Sequence, residues 1–215
     1  MKILIGIISY LPDDSKLKEV RFKKLYSLIE RCNQLFNLPI HIIAQNYDVH
    51  SRASLLETFK NVSVDFYETP LGITNARKKL REWFLASDYT NLIMLDDDCE
   101  IKGTLNDAQN YVNQIVSNPN CFIEFKSTLL KLFCISKEIF AQQDYLDIDA
   151  EKSEGFEDTI FVKTLRKKFP DKRRVFNCNL KETSISTKDV YSTWYNNQDL
   201  TEMLRKTKQI MENVK

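Results

Sequence analysis

The chain has 215 residues, a length that suits one domain, and its 43% apolar and 28% charged residues support a sizeable core under a wetted surface. Its 31 basic and 30 acidic side chains nearly cancel, to a formal charge of +1, which argues against a protein whose main task is gripping a nucleic-acid backbone. The five cysteines (Cys32, Cys99, Cys121, Cys134 and Cys178) are scattered and form no CxxC pair, which disfavours a disulfide framework or a structural zinc site and points to a reducing cytosol.

Ile3 to Ser9 is a continuous apolar, β-branched run, the mark of a strand buried on both faces. Its opening residues imitate a signal peptide, but no small-residue cleavage site follows, and the run passes straight into Pro12-Asp13-Asp14. No apolar run approaches the ~20 residues that a membrane span needs. The expected location is therefore cytoplasmic, with peripheral attachment to a membrane left open.

Residues 16 to 36 carry Phe22, Leu25, Leu28, Ile29, Cys32 and Phe36 at helical spacing. Ile40 to Ala44 reads as a second strand, a short polar helix covers residues 52 to 60, and Val62 to Tyr67 reads as a third strand. Pro70-Leu71-Gly72 breaks the chain before a helix with Ile73, Ala76, Leu80, Trp83 and Phe84 on one face. Leu92 to Leu95 is a fourth strand that ends in Asp96-Asp97-Asp98. Strands alternating with helices predict a mostly parallel, doubly wound α/β sheet.

Past the acidic triplet the rhythm changes. A helix is expected over residues 104 to 117, then strands at Cys121 to Phe125 and Leu129 to Ile135 that add antiparallel to the sheet. Another helix is expected from Phe156 to Phe169, and a last strand from Arg174 to Cys178. The expected organisation is one catalytic domain over residues 1–198 and a polar helical tail over 199–215.

Three segments carry candidate chemistry. Three adjacent carboxylates at the end of a buried strand repel one another, and a hard divalent cation such as Mg²⁺ or Mn²⁺ would compensate them. In an open α/β sheet, the ligand crevice lies at the carboxyl ends of the strands, where Asp96, Asp97 and Asp98 fall. In Gly72-Ile73-Thr74-Asn75-Ala76-Arg77, Arg77 occupies the first turn of a helix, where a cation is disfavoured and a bound anion would be its partner. Gly155-Phe156-Glu157-Asp158 opens a later helix with two carboxylates beside an apolar wall, a setting that raises a carboxyl pKa towards general-base use. The plain alternatives are a solvated acidic turn, a surface arginine among Lys78, Lys79 and Arg81, and acids complementing a helix dipole.

Taken in order, a first strand ending near Ser9-Tyr10, then Gly72 to Arg77, then Met94 to Asp98, then Gly155 to Asp158 resembles glycosyltransferase family two, the large inverting family of cellulose and hyaluronan synthases and bacterial rhamnosyl- and glucosyltransferases. The resemblance covers roughly residues 1 to 170. It implies a GT-A fold and a nucleotide-sugar donor, with a UDP-sugar favoured. It implies that Asp96 contacts the ribose or sugar, that Asp98 with Asp96 holds Mn²⁺ or Mg²⁺, that Asp97 and Arg77 belong to the donor site, and that Asp158 or Glu157 is the base. Ser9, Tyr10 and the Gln45-Asn46 strand end would line the nucleotide pocket.

The chain also departs from that pattern. The acidic pair usual after the second strand is replaced by Gln45-Asn46-Tyr47-Asp48, no late histidine is available as a metal ligand, and the QxxRW motif of processive synthases is absent. His41 reads as a packed strand residue. The chemistry implied is displacement at the anomeric carbon with inversion, without repeated chain extension. Competing readings are a dehalogenase-like phosphatase, which wants a nucleophile on its first strand, a sugar nucleotidyltransferase, which wants a glycine-rich N-terminal loop, and a non-catalytic sugar-binding module. For the acceptor, the basic stretch from Lys163 to Arg174 suits either a solvated helix end or a rim for a glycan, lipid-linked sugar, teichoic acid or modified DNA, and Trp194 and Tyr195 suit either stacking on a sugar or base or sealing the core.

Overall fold

The computed structural model describes residues 1–125, 132–144, 157–176 and 180–184. β1 (Ile3–Tyr10) is buried along nearly its whole length because it has a neighbour on each side. It pairs in parallel with β2 (Ile40–Gln45) and with β4 (Asn91–Asp96). β3 (Val62–Tyr67) adds in parallel to β2 at the edge, and its residues are correspondingly more exposed. Beyond β4 the sheet turns mixed. β7 (Phe133–Ser136) is antiparallel to β4, β6 (Phe122–Phe125) is antiparallel to β7, and β8 (Arg173–Phe176) is parallel to β6. The seven-stranded order is β3-β2-β1-β4-β7-β6-β8.

Two apolar layers cover the sheet. On one face α1 (Ser15–Leu35), α2 (Val49–Thr58) and α4 (Leu105–Ser117) pack on Ile5, Ile7, Ile42 and Ile93. On the other, α3 (Ile73–Ala86), α5 (Lys137–Gln142) and α6 (Glu157–Lys168) pack on Leu4, Ile8, Ile43 and Met94. Gly6 lets α3 lie this close, since a Cβ there would meet Leu92 and Leu80 side-chain atoms at 2.8 and 2.9 Å.

Local chemistry sets the helix starts. Asp14 caps α1 by accepting from the backbone N–H groups of Lys16 and Leu17. Thr104 and Asp107 form a reciprocal capping box on α4. Asp48 accepts from Ser51 N–H, so α2 begins at Val49, three residues before the expected start.

The doubly wound α/β expectation holds, with a few additions. A two-stranded antiparallel ribbon, β5 (Cys99–Lys102) with β9 (Lys181–Ser184), follows the acidic triplet and was not expected. Nor was α5, which Ser136 caps at the end of β7. The strand expected from Leu129 is described only from Phe133, and the last strand only over Arg173–Phe176. Gly155, Phe156, Trp194, Tyr195 and the tail over 199–215 lie outside the described residues. Among those described, no helix is long and apolar enough to cross a membrane.

Candidate functional site

The parallel strands deliver their last residues to one edge of the sheet. Register aligns Ile8 with Asp96 and Tyr10 with Gln45, so the ends of β1, β2 and β4 lie side by side. Gln45 ties them together. Its side-chain carbonyl accepts from Leu71 N–H at 2.7 Å, and its amide donates to the Ser9 carbonyl at 3.4 Å. Asn46 takes a left-handed backbone (φ 60°), which asparagine tolerates, and its amide donates to the Leu11 carbonyl and to Asp13 Oδ1, each at 2.8 Å. This amide therefore pins the loop that leads into α1.

The three aspartates have three different surroundings. Asp96 is partly exposed and accepts from Arg77 Nη2 at 3.1 Å. Asp97 turns inward and is 6% exposed. There it accepts from Ser9 Oγ at 2.6 Å and from Tyr10 N–H at 3.2 Å, and Arg21 of α1 stands 3.7 Å away. Ser9 directs its proton to Asp97, so the Tyr47 hydroxyl, 2.5 Å from Ser9 Oγ, donates in turn. Burial pushes the Asp97 carboxyl up to about 6, against the pull of Arg21 and Ser9. Asp98 is also raised, by burial first and by the Asp96 charge second, while Arg21 and Lys24 of α1 draw it down.

These partners revise the electrostatic argument from sequence. The repulsion within the triplet is already met in part by Arg77, Arg21 and Lys24. Nothing in α1 announces Arg21 or Lys24 as partners, because a basic residue one turn from an apolar stripe is ordinary on a surface helix. Arg77 is likewise no surface charge. It is 4% exposed, held by the Gly72 start of α3 (φ 77°) against β4, and Asp96 supplies the anion that the sequence argument sought in a ligand.

Two features remain open for a ligand. A small cleft beside this pair is lined by Ile8, Arg77, Leu80, Met94, Leu95 and Asp96. Next to it, one ligand atom each from Asp96, Asp98 and Cys99 lies within 4.8 Å of the others. Two carboxylates on one side of a turn are a donor set that suits Mg²⁺ or Mn²⁺, with coordination positions left for water or phosphate.

Asp158 stands in the first turn of α6, half-buried, and the side chain of Glu157 lies outside the described residues. Ile160, Phe161, Val162 and Leu165 of α6 are buried, and Phe161 meets the rings of Phe133 and Phe140 at 6.4 and 5.7 Å. That apolar cluster also contains Ile8, Leu80 and Met94, which line the cleft on its apolar side. At the far end of α6, Arg166 and Arg173 both pair with Glu124, which is buried in β6. Arg174 donates to Asn118 and Lys168 to the Gln142 carbonyl. Arg166, Lys168, Arg173 and Arg174 thus hold internal partners. Arg173 is level with Phe122 and hence with Leu92, four residues short of Asp96 along the sheet.

No protein-family model matches the chain, and no curated protein matches it in sequence. Solved structures do match. Staphylococcus aureus TarS aligns with a TM-score of 0.60 and 13% identity over 89% of this chain and 38% of that one. Its fragment 1–349 in complex with UDP-GlcNAc aligns at 0.62 and 12% identity over 96% and 65%. This chain therefore spans less than two thirds of the TarS chains that it matches. A CMP-2-keto-3-deoxy-manno-octonic acid synthetase complexed with CTP aligns at 0.54 and 10% identity over 90% and 96%. A candidate nucleotide-diphospho-sugar transferase from Desulfovibrio desulfuricans G20 aligns at 0.52 and 10% identity over 82% and 80%. These likenesses show the fold, which is GT-A-like, of the nucleotide-diphospho-sugar transferase kind.

Proposed function

We propose that this chain is a glycosyltransferase that moves a sugar from a nucleoside-diphosphate donor to an acceptor hydroxyl, with inversion and without processive extension. The observation that carries the reading is that Asp96, at the carboxyl end of β4, joins Arg77 in lining a cleft and groups with Asp98 beside it. It lies where open α/β sheets bind their ligands. The UDP-GlcNAc complex of TarS, on the same fold, supports a UDP-sugar as the donor.

Asp96 and Asp98 would hold Mn²⁺ or Mg²⁺, which when bound supplies positive charge for a departing diphosphate. Arg77 orients Asp96 and presents a buried guanidinium to the donor side of the cleft. Ser9, Tyr10 and Asp97 form a bonded unit that fixes the end of β1, where the nucleotide would sit. Asp158 takes the proton of the acceptor hydroxyl as that oxygen attacks the anomeric carbon and the diphosphate leaves from the opposite face. The acceptor is a hydroxyl-bearing glycan or phosphate-bearing carrier.

A second reading has its own observation. The CMP-sugar synthetase is matched over 96% of its length, far more than TarS. Such an enzyme would release pyrophosphate from a nucleoside triphosphate and a free sugar. One experiment separates the two. Purified protein with Mn²⁺ is offered a panel of nucleotide sugars, then nucleoside triphosphates with free sugars, and products are read by mass spectrometry. Nucleoside diphosphate release supports the transferase, pyrophosphate release supports the synthetase, and neither reaction leaves a binding module. Calorimetry gives the matching test of the site. UDP should bind at least tenfold more tightly with Mn²⁺ than with chelator, and Asp98→Asn should abolish that gain. Equal binding with and without Mn²⁺ would remove the cation from the proposal.

A further inference from the structure

Cys99 follows the triplet directly, is buried at 3% exposure, and is the first residue of β5. Its Sγ lies 3.9 Å from Asp98 Oδ1 and within 4.8 Å of the Asp96 ligand atom. Two groups on one ion can be no further apart than the sum of their bond lengths to it. For a carboxylate oxygen at ~2.1 Å and a thiolate at ~2.3 Å that limit is about 4.4 Å, with smaller separations when the groups are not opposite each other. Three groups on one ion cannot all be opposite, so the Asp96, Asp98 and Cys99 atoms would close together by up to about 1 Å, a side-chain rotation, to enclose one ion. The other described cysteines, Cys32, Cys121 and Cys134, are buried in the apolar core or at its margin, away from this cluster.

Hard Mg²⁺ gains little from sulfur and demands near-ideal oxygen geometry, whereas softer divalent ions favour thiolate. Resting on the cation site proposed above, we infer that Cys99 is a third protein ligand to that site, which makes it selective for thiophilic ions, with Cd²⁺ and Zn²⁺ held above Mn²⁺ and Mn²⁺ above Mg²⁺. Binding of a soft ion forms a metal–sulfur bond and releases the thiol proton to solvent, with no change of oxidation state. The β5–β9 pairing holds Cys99 in place, since Cys99 is registered opposite Ser184.

The test titrates wild-type protein and Cys99→Ser with Cd²⁺ alone, following the ultraviolet charge-transfer band of a cadmium-bound thiolate and the heat of binding. Both proteins are also titrated with Mn²⁺ in the presence of UDP. The expected result is a charge-transfer band in wild type only. Cd²⁺ affinity should fall at least tenfold in Cys99→Ser, and Mn²⁺-dependent UDP binding should fall as well but by a smaller factor, since the harder ion depends less on the thiolate. A wild type without the band, or a Cys99→Ser protein with unchanged Cd²⁺ affinity, would overturn the assignment. In either case, intact Mn²⁺-dependent UDP binding would leave the proposed function standing. Loss of Mn²⁺ dependence in the wild type would overturn the cation site itself, and the role of Cys99 with it. Circular dichroism of Cys99→Ser checks that β5 still folds.

Discussion

Ser9 Oγ donates to Asp97 Oδ2 over 2.6 Å, binding the end of β1 to the middle of the acidic turn. Asp97 also receives Tyr10 N–H, and Tyr47 donates to Ser9 behind it. Asp97 is therefore read as a positioning group behind the donor site. Asp97→Ala leaves several buried donors unsatisfied and should cost about 2–4 kcal/mol of stability. Asp97→Asn keeps an acceptor for Ser9 and removes a charge that burial disfavours, so it should cost less than about 1 kcal/mol. Urea unfolding of the two variants makes the comparison. If both fold like the parent and only UDP binding suffers, Asp97 contacts the donor itself.

Arg77 invites a different measurement. Read from sequence as a cation whose partner is a bound anion, it could be removed from the ligand-free protein at little cost. The structure places it inside, 4% exposed and bonded to Asp96. Asp96 is partly exposed and can rehydrate, so Arg77→Ala should cost about 2–3 kcal/mol, below the full penalty for an orphaned buried charge. UDP affinity with Mn²⁺ should fall as well, by about 1.5–3 kcal/mol. An unchanged melting temperature together with unchanged UDP binding would return Arg77 to the surface.

The fold was legible because the strands that build it are buried on both faces. Ile3 to Ser9, Ile40 to Ala44 and Leu92 to Leu95 read as strands from apolar continuity alone, and the helices between them carry clean stripes. What stayed hidden depended on pairing at a distance. β5 is four residues of alternating burial, Cys99–Lys102, with no partner visible until Lys181–Ser184 returns beside it. At the site, the aspartates were visible as a cluster, but their separate roles were not. Which of three adjacent carboxylates turns inward depends on Ser9, Tyr47 and Arg21, which arrive from three other elements. Likewise, the basic stretch after Lys163 looked like one patch until the buried Glu124 divided it.

His41 offers a pH test of the fold, away from the site. Its ring stacks on Trp83 with centroids 3.7 Å apart, and its Nδ1 lies 2.9 Å from Ser63 Oγ. Burial lowers its pKa from 6.5 to about 4. The unfolded chain thus takes up a proton near pH 6.5, and the folded one only near 4. His41 contributes its full stability above the upper value and loses it as pH falls through that window. The half-exposed Asp65 carboxylate, 3.7 Å from Nε2, faces the imidazolium and offsets part of the loss. Urea midpoints at about pH 7 and about pH 4.5 should therefore differ more for wild type than for His41→Phe, which keeps the stack without a titrating ring. Equal pH slopes in the two proteins would mean that His41 is protonated in the fold or does not govern this window.

Asp158, the proposed base, stands on a helix that the core holds in place. α6 is held at its middle and in its second half. Phe161 and Val162 sit in the cluster that floors the cleft, and Arg166 is bound to the buried Glu124 one turn further on. A first-turn carboxylate on so firmly held a helix can be aimed, and Asp158 is half-buried there, one turn before Phe161 and Val162. Consecutive residues on a helix point ~100° apart, so only one of Glu157 and Asp158 can face the anomeric carbon. Asp158 shares a side with Phe161, Val162 and Leu165, the buried face of α6. A base acts on the acceptor's proton during transfer, so Asp158→Asn should leave Mn²⁺-dependent UDP binding nearly unchanged. With donor and acceptor both present, its turnover should fall by roughly 10²–10⁴-fold. Glu157→Gln should be milder, because an acid in the first turn of a helix mainly complements the dipole. Turnover is measured as nucleoside diphosphate released per enzyme with the acceptor that the product screen identifies. A normal rate in Asp158→Asn would take the base away from α6 and reopen whether the sugar inverts at all. A large loss in Glu157→Gln instead would move the role by one residue and turn the helix by that same ~100°.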